Sequence, residues 1–141
     1  MSTREVIERY WTLLVEGNFP AALELFAEEG SYTVSGKTPI SKKYAPKAAL
    51  FTEFMEAVGP LFANGLPRFT TTDIVVEGDR GVIIATGLCK GGYGTYDQTF
   101  CFHITVANGE ITKLVEYADT LQIETALMGG TLTRKDGSTV G

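Results

Sequence analysis

The sequence predicts one α+β domain in which helices come first and pack on one face of a strongly curved, mostly antiparallel sheet. Apolar residues recur at helical spacing as far as residue 58, whereas from residue 67 onward short turns separate segments that alternate in polarity. A chain of 141 residues, of which 44% are hydrophobic, is also long enough to bury a sizeable core. We expect the domain to span residues 1–128 and a polar tail to follow over residues 129–141.

The first helix begins at a capping box formed by Ser2 and Glu5, whose side chains can each bind the other's backbone N–H. Gly17 is the predicted end of this helix. Apolar residues at helical spacing predict its buried face: Val6, Ile7, Tyr10, Trp11 and Leu14.

Two further helices are predicted before the strands. Pro20 suits the first turn of a short second helix, which we expect to bury Phe26 and to end before Gly30. Pro46 can open a third helix, and Gly59 marks the point where it breaks. The expected buried residues of the third helix are Leu50, Phe51, Phe54, Met55 and Val58.

Five strands are predicted, over residues 31–35, 68–77, 80–90, 96–106 and 110–121. Gly78-Asp79 and Asn108-Gly109 supply tight turns between neighbouring strands. Residues 122–128 are predicted to form a helical turn after the last strand. Strands that follow one another through tight turns pair antiparallel, which is the basis for the predicted sheet.

Composition argues against several classes of protein. The net charge is −5 and the basic residues are scattered, so the basic stripe of a nucleic-acid-binding protein is missing. No apolar run approaches the ~20 residues that span a bilayer, and the polar start lacks the apolar segment of a signal peptide. We therefore expect a cytoplasmic protein with neither nucleic-acid nor membrane partners. Cys89 and Cys101 are expected to be free core thiols, and with His103 they make a weak case for a metal.

The last predicted strand carries two acids of opposite parity, Glu116 and Asp119. Successive side chains of a strand point to opposite faces, so one acid points toward the core side and the other points away. A carboxylate that points into an apolar core is costly unless it is paired or functional. The function of the chain therefore depends on which acid faces inward.

Two turn geometries decide this question. A two-residue Asn108-Gly109 turn places Asp119 beside the phenylalanines of the preceding strand, whereas a three-residue loop with Gly109 left-handed places Glu116 there. A slip of one residue flips every side chain, and composition alone leaves both registers open. The phenylalanine face must be the core face, because the alternate face carries Thr99, Cys101, His103 and Thr105.

Several short motifs resemble, in their order and spacing, the nuclear transport factor two-like superfamily and, within it, the SnoaL-like polyketide cyclase group. They cover nearly the whole chain, to about residue 128. The motifs are Arg9-Tyr10, Gly17-Asn18, Leu25-Phe26-Ala27-Glu28-Glu29, Asn108-Gly109-Glu110-Ile111 and Glu116-Tyr117-Ala118-Asp119-Thr120. The resemblance implies a cone of three helices and a bent sheet, with an apolar pocket at its wide end. It also implies a homodimer through the outer sheet face.

The resemblance does not single out one reaction, because this fold hosts isomerases, cyclases, epoxide hydrolases and binding modules. It does imply that Glu116 faces inward, since the catalytic acid of limonene epoxide hydrolases lies at this position. Tyr32 matches the tyrosine of those enzymes, and Val34 replaces their asparagine. Gly87 and Cys89 stand where those enzymes have an arginine and its acid partner, so half of that machinery is missing.

A comparison with ketosteroid isomerases points to Tyr10, which matches their oxyanion-holding tyrosine in the same Arg9-Tyr10 context. Their general base would stand at Val34, and their second acid near Phe100 or Phe102. A valine or a phenylalanine cannot exchange a proton, so ketosteroid isomerase chemistry is not expected. Tyr10 could instead pack in the helical stripe as a core residue.

The candidates for chemistry are therefore Glu116, Tyr32 and Tyr10. The residues that we expect to bind a small apolar substrate are Val34, Phe51, Phe54, Phe100, Phe102, Leu114 and Ala118. Burial among aromatic rings would raise the pKa of Glu116 and suit it to act as a general acid or base. The main alternative is that Glu116 reaches a lysine of the 36–45 loop, such as Lys42 or Lys43.

Two classes of function stay open at this point. The first is an isomerase, cyclase or hydrolase that uses acid–base groups alone and needs no cofactor. The second is a hydrophobic ligand-binding module without catalysis, or a dimeric accessory domain that acts through its sheet face. The retained Tyr32 and Glu116 favour the first class, and the loss of polar residues at Val34, Gly87 and Phe102 favours the second.

Overall fold

The computed structural model describes all residues, Met1–Gly141, and places the helices on one face of a six-stranded sheet. The helices are α1 (Thr3–Val15), α2 (Phe19–Leu23), α3 (Lys47–Ala49), α4 (Met55–Val58) and α5 (Thr120–Gln122). The strands are β1 (Phe26–Val34), β2 (Lys43–Tyr44), β3 (Arg68–Glu77), β4 (Arg80–Lys90), β5 (Thr95–Ala107), β6 (Glu110–Ala118), β7 (Leu132–Thr133) and β8 (Thr139–Val140). The predicted α+β class is confirmed.

The main sheet has the strand order β2-β1-β6-β5-β4-β3. Every neighbouring pair is antiparallel except β1 and β6, which are parallel. The register shifts within three of these pairs, and such irregularities bend a strand and increase its twist. The sheet therefore curves around α1, which packs against β3, β4 and β5.

Helix α1 follows the sequence prediction closely. The capping box forms, with the Ser2 hydroxyl accepting from the Glu5 backbone and the Glu5 carboxylate accepting from the Ser2 backbone. Gly17, with a φ of 81°, follows the helix in the left-handed conformation. The Trp11 indole packs into the core and donates a 2.5 Å hydrogen bond to Thr71 of β3, which fixes the helix against the sheet.

The second helix is shorter than predicted, and Phe26 begins strand β1 rather than closing the helix. Phe26 pairs with Ile111 of β6, and the backbone N–H of Ile111 donates to the carbonyl of Leu25. These parallel-sheet contacts extend the strand backward from the predicted 31–35 segment to residue 26. The prediction failed because a parallel partner distant in sequence leaves no local signal.

The third helical segment is irregular rather than continuous. A π-helical turn, Leu50–Phe54, joins α3 to α4, and a 3₁₀ turn, Gly59–Leu61, follows. Leu50 and Phe54 are buried, whereas Phe51, Met55 and Val58 are half-buried. The segment still lays an apolar face over the sheet, as the sequence predicted.

The β5–β6 hairpin combines features of both predicted registers. Asn108 and Gly109 have φ values of 52° and 75°, and Ala107 pairs with Glu110 across this two-residue turn. A bulge then leaves Thr112 as an extra residue, because Val106 pairs with Ile111 and Thr105 with Lys113. Beyond the bulge the pairs are Ile104 with Leu114, Phe102 with Glu116 and Phe100 with Ala118.

The bulge therefore puts Glu116 on the core face. Without the bulge, the two-residue Asn108-Gly109 turn would have put Asp119 there instead. It also allows both Ile111 and Leu114 to be fully buried, which strict alternation on one strand would forbid. Strand β6 ends earlier than the predicted residue 121. Asp119 lies outside the sheet, where its carboxylate accepts from the Leu121 N–H and caps α5.

The segment after residue 128 contains one short hairpin, in which β7 pairs with β8. The predicted helical turn over residues 122–128 is a π-helical turn, Ile123–Leu127. The N–H of Gly130 donates to the carbonyl of Glu124 and ties the start of the terminal segment to this turn. The structure contains no helix that is both long and apolar enough to cross a bilayer.

Candidate functional site

A pocket opens between the helices and the inner face of the sheet. Its walls comprise Leu14, Phe19, Tyr32, Val34, Ile40, Phe54, Val58, Phe62, Leu66, Pro67, Phe69, Tyr96, Phe100, Phe102, Glu116 and Leu127. Glu116 is the only one of these residues with a charged side chain. The free space measures about 550 Å³ out to the mouth, but only about 50 Å³ of it admits the centre of a water molecule. The pocket is thus narrow, with closely spaced aromatic walls.

Glu116 is paired with Tyr32 at the wall of this pocket. The two residues come from the parallel strands β6 and β1, where Glu116 lies opposite Val34 and Tyr32 lies opposite Leu114. The Tyr32 hydroxyl donates a 2.5 Å hydrogen bond to Oε1 of Glu116. This length is at the short end of the range for a hydroxyl on a carboxylate, about 2.5–2.7 Å.

The environment of Glu116 favours its neutral form. Burial raises the pKa of Glu116 above its ordinary value of 4.5, and the hydrogen bond from Tyr32 offsets part of this rise. Protein surrounds the side chain densely, yet Glu116 keeps some accessible surface, which we attribute to the pocket it lines. A carboxyl group of this kind can exchange a proton with a molecule that enters the pocket.

No lysine neutralises Glu116, so the alternative of a loop ion pair is wrong. Lys42 pairs with Glu53 at the protein surface, and Lys43 is exposed. Lys47 reaches Glu24, at 3.3 Å. The Tyr32 hydroxyl is consequently the polar partner of Glu116.

Tyr32 is itself held firmly. It is 3% exposed, and its ring lies 4.5 Å from the ring of Phe54 and 6.4 Å from that of Phe26. Burial raises the pKa of Tyr32 well above 10.0, and the charge of Glu116 raises it further. The phenol therefore stays protonated and acts as a hydrogen-bond donor.

Tyr10 lies deeper in the core and does not line the pocket. Its hydroxyl is fully buried and has no hydrogen-bond partner, and its ring meets Phe26 edge-on at 6.1 Å. Burial raises the pKa of Tyr10, the Glu116 charge raises it further, and the nearby Tyr32 hydroxyl acts in the opposite direction. Tyr10 is thus close to Tyr32 but outside the pocket lining.

Four of the seven predicted substrate-binding residues line the pocket: Val34, Phe54, Phe100 and Phe102. The rings of Phe100 and Phe102 stack at 5.2 Å with an angle of 14° between their planes. Val34 stands directly opposite Glu116 in the β1–β6 pairing. Apolar groups therefore surround the Glu116–Tyr32 pair.

The other three predicted substrate-binding residues, Phe51, Leu114 and Ala118, do not line the pocket. Leu114 is fully buried, opposite Ile104. Phe51 is half-buried in the π-helical turn, and Ala118 is half-buried at the end of β6. Periodicity identified them as apolar positions, but it could not say which of them the helices would cover.

The lone histidine, His103, and the two cysteines do not line the pocket. His103 and Cys101 are half-buried on the outer face of the sheet, where they pair with Val115 and Tyr117. Cys89 lies on the inner face, beside Tyr96, so the two free thiols are on opposite sides of the sheet. No group of three His, Cys, Asp or Glu side chains is arranged to hold a metal ion.

The sequence interpretation missed two buried polar residues, Tyr96 and Gln98, which lie on the inner face of β5. Their signal was present, because they share the parity of Phe100 and Phe102 on the same strand. Pocket residues between 58 and 69 had no comparable signal. That connection follows neither the period of a helix nor that of a strand.

Comparisons with known proteins agree with this architecture. The family profile described as a SnoaL-like domain matches residues 7–114, and no curated protein matches the chain. A protein of unknown function with the NTF2-like fold, from Burkholderia pseudomallei, superposes with a TM-score of 0.78 at 15% identity, over 90% of this chain and 98% of that one. Bal32a, from a soil-derived mobile gene cassette, superposes with a TM-score of 0.75 at 20% identity, over 89% and 95%.

A third similar structure is TerC co-crystallised with polyporic acid, with a TM-score of 0.74 at 18% identity, over 89% of this chain and 98% of that one. Identities this low show a shared fold and leave the chemistry of each protein open. The family match spans most of the chain and includes Tyr10, Tyr32 and Leu114, although it ends just before Glu116. The resemblance found in the sequence is confirmed, and the chain belongs to the SnoaL-like domain family.

Proposed function

We propose that this protein is a cofactor-independent acid–base enzyme in which Glu116 exchanges a proton with a small apolar molecule bound in the pocket. The observation that carries the proposal is the 2.5 Å hydrogen bond from Tyr32 to Glu116 at the wall of an otherwise apolar pocket. A buried carboxyl without a cation is costly to maintain for stability alone. Such a group is typical of catalytic sites.

The two residues would divide the work in a simple way. In its ionised form Glu116 would take a proton from the substrate, and the Tyr32 hydroxyl would stabilise the carboxylate before the transfer. In its protonated form Glu116 would return the proton at a second position or to a leaving oxygen. Because the pKa of Glu116 is raised, it is a stronger base than an exposed glutamate and can also serve as an acid nearer to neutral pH.

The shape of the pocket supports a flat, largely hydrocarbon substrate. The lining is almost wholly apolar, as in small-molecule sites, and the stacked rings of Phe100 and Phe102 offer planar walls. TerC, a structure of the same fold, was crystallised with polyporic acid. We expect the narrow interior to widen when a ligand enters.

The test is ligand binding followed by turnover, with wild type, Glu116→Gln and the matched control Glu110→Gln. Glu110 is an exposed acid on the same strand. Steroids, aromatic polyketides, terpenoid epoxides and fatty acids would be screened by thermal shift, because a ligand of the native state raises the melting temperature. We expect one class to stabilise all three proteins and to be turned over by wild type and the control only. Equal turnover by Glu116→Gln would refute the proposal.

A second candidate is a binding module that holds such a molecule without transforming it. The observation that favours it is Val34, which stands opposite Glu116 where a water-holding or proton-accepting residue would complete a catalytic set. In that case Glu116 would only orient a polar group of the ligand. Binding without turnover of any ligand class would support this candidate over the enzyme.

We also propose that two copies associate through the outer face of the sheet. Two cross-strand rows of mostly apolar side chains lie there: Tyr117–Cys101–Ile84, which ends against Asp73, and Val115–His103–Val82–Val75. Tyr117, Ile84 and Val75 are 50%, 41% and 51% exposed in the single chain. A contiguous apolar surface of this kind is typical of a protein interface. We also propose a cytoplasmic location, which the two free thiols support because thiols stay reduced in that compartment.

A further inference from the structure

The buried amide of Gln98 has a single possible orientation. Its Oε1 accepts from the backbone N–H groups of Thr99, at 2.9 Å, and Asp119, at 2.7 Å. Its Nε2 donates to the carbonyl of Asp119 and to the Tyr96 hydroxyl, both at 2.9 Å. Exchanging oxygen and nitrogen would place the NH₂ group against two N–H groups, so the hydrogen bonds themselves fix the orientation.

This orientation determines what the Tyr96 hydroxyl can do. Because Gln98 presents a donor, the oxygen of Tyr96 must accept, and its proton has to point elsewhere. The hydroxyl donates to no other group of the protein. Tyr96 is 2% exposed and lines the pocket, and its ring lies 5.9 Å from the ring of Phe62. The pocket therefore holds an oriented phenol whose donor is unused.

We propose that Tyr96 is a substrate-positioning residue, whose hydroxyl donates to an oxygen acceptor on the molecule in the pocket. This inference rests on the proposed function of the pocket, and it adds a ligand class. The ligand is an apolar compound with a carbonyl oxygen rather than a pure hydrocarbon. A buried donor left without an acceptor is costly, so the pocket should favour a ligand that satisfies Tyr96 over one of equal shape that does not.

The position of Tyr96 also relates it to Glu116. The charge of Glu116 contributes to the rise in the pKa of Tyr96, after the larger effect of burial, so the two groups are within electrostatic reach. A hydrogen bond to a carbonyl oxygen stabilises the negative charge that develops there when a proton is removed from the neighbouring carbon. Tyr96 would thus hold the oxygen while Glu116 exchanges the proton.

Two probes of the same shape test the inference: acetophenone, and α-methylstyrene, in which a CH₂ group replaces the carbonyl oxygen. Their affinities would be measured for wild type, Tyr96→Phe and the control Tyr93→Phe, whose side chain is 71% exposed. We expect Tyr96→Phe to weaken acetophenone binding about three- to tenfold, the range for one neutral hydrogen bond. Binding of α-methylstyrene should be unchanged, and the control should behave as wild type.

The infrared stretching frequency of the carbonyl group in bound ¹³C-labelled acetophenone gives a second readout. Looser packing around position 96 in the variant would not by itself reproduce the effect of a hydrogen bond on this frequency. A hydrogen bond lowers this frequency, so it should be lower in wild type than in Tyr96→Phe. If Tyr96→Phe does not fold, 3-fluorotyrosine can be incorporated at position 96. Its more acidic hydroxyl donates more strongly, and the frequency should then fall further than in wild type.

The outcomes separate this inference from the proposed function. If both probes lose affinity equally in Tyr96→Phe, or if the carbonyl frequency does not change, the role of Tyr96 is refuted. The role of Glu116 would still be decided by the turnover of Glu116→Gln. If neither probe binds wild type, the carbonyl ligand class assigned to Tyr96 is overturned, whereas the proposed function is still decided by the ligand screen and by the turnover of Glu116→Gln.

Discussion

The hydroxyl of Tyr32 lies 2.5 Å from Oε1 of Glu116, across the one parallel pair of strands in the sheet. Their contact depends on a bulge at Thr112, which turns Glu116 to the core face after the two-residue hairpin turn. The pair then sits in an aromatic pocket with no cation nearby. Stability, titration and ligand binding should each report on this arrangement.

Replacing Glu116 by Gln should change how stability depends on pH. The folded-state pKa of Glu116 is raised above 4.5, so wild type binds more protons when folded than when unfolded over the pH range between the two values. The stability of wild type relative to Glu116→Gln should therefore be greatest below about pH 4.5, the ordinary value, and should fall as pH rises through the raised pKa. Chemical denaturation of both proteins at several pH values measures this difference, and a difference that does not vary with pH would contradict it.

Replacing Tyr32 by Phe should destabilise the fold. The change removes the hydroxyl that bonds Glu116 and leaves the carboxyl without a polar partner, so we expect a loss of about 1–3 kcal/mol at neutral pH. Urea denaturation measures the loss, and Tyr93→Phe, at an exposed position, is the matched control. A Tyr32→Phe variant as stable as this control would mean that the hydrogen bond contributes nothing to the fold.

Replacing Tyr10 by Phe should have the opposite effect. The Tyr10 hydroxyl is buried without a partner, so its removal should be neutral or stabilising by up to about 1 kcal/mol. The free energy of unfolding of the variant, compared with that of Tyr32→Phe, gives the answer. A loss of stability as large as that of Tyr32→Phe would show that Tyr10 has a polar partner in solution.

A charge on the outer face of the sheet should separate the proposed dimer. Ile84 ends the Tyr117–Cys101–Ile84 row on that face, opposite Asp73, and is 41% exposed, so Ile84→Lys would bury a charge in the interface. Light scattering after gel filtration should give a dimer for wild type and a monomer for Ile84→Lys. Val15→Lys, on the exposed end of α1, is the control and should stay dimeric. A monomeric wild type at micromolar concentration would contradict the dimer.

Local signals in the sequence were sufficient for much of the fold. The capping box at Ser2 and Glu5, the Gly78-Asp79 turn and strands β3 and β4 lie where they were predicted. The beginning of β1 at Phe26 was missed, because its partner Ile111 is distant in the chain. Sheet pairing between such distant segments outweighs the local preference for helix.

The candidate site was less predictable than the fold. Glu116 and Tyr32 were identified from the resemblance, but the residues alone left the face of Glu116 open until the bulge at Thr112 was seen. Gln98 and Tyr96 follow the inward parity of β5, and an inward glutamine between aromatic residues is a signal that was overlooked. The complete burial of Leu114 outside the pocket lining depends on packing, which periodicity does not encode.

Titration of Glu116 tests whether it is a proton-exchanging carboxyl in an apolar pocket. The side-chain carboxyl of Glu116 can be followed by carbon NMR in ¹³C-glutamate-labelled protein and assigned with Glu116→Gln. We expect a midpoint above 4.5 that shifts when a pocket ligand binds. A midpoint at or below 4.5, unchanged by every ligand, would show that Glu116 is solvated like a surface acid and would refute its proposed role.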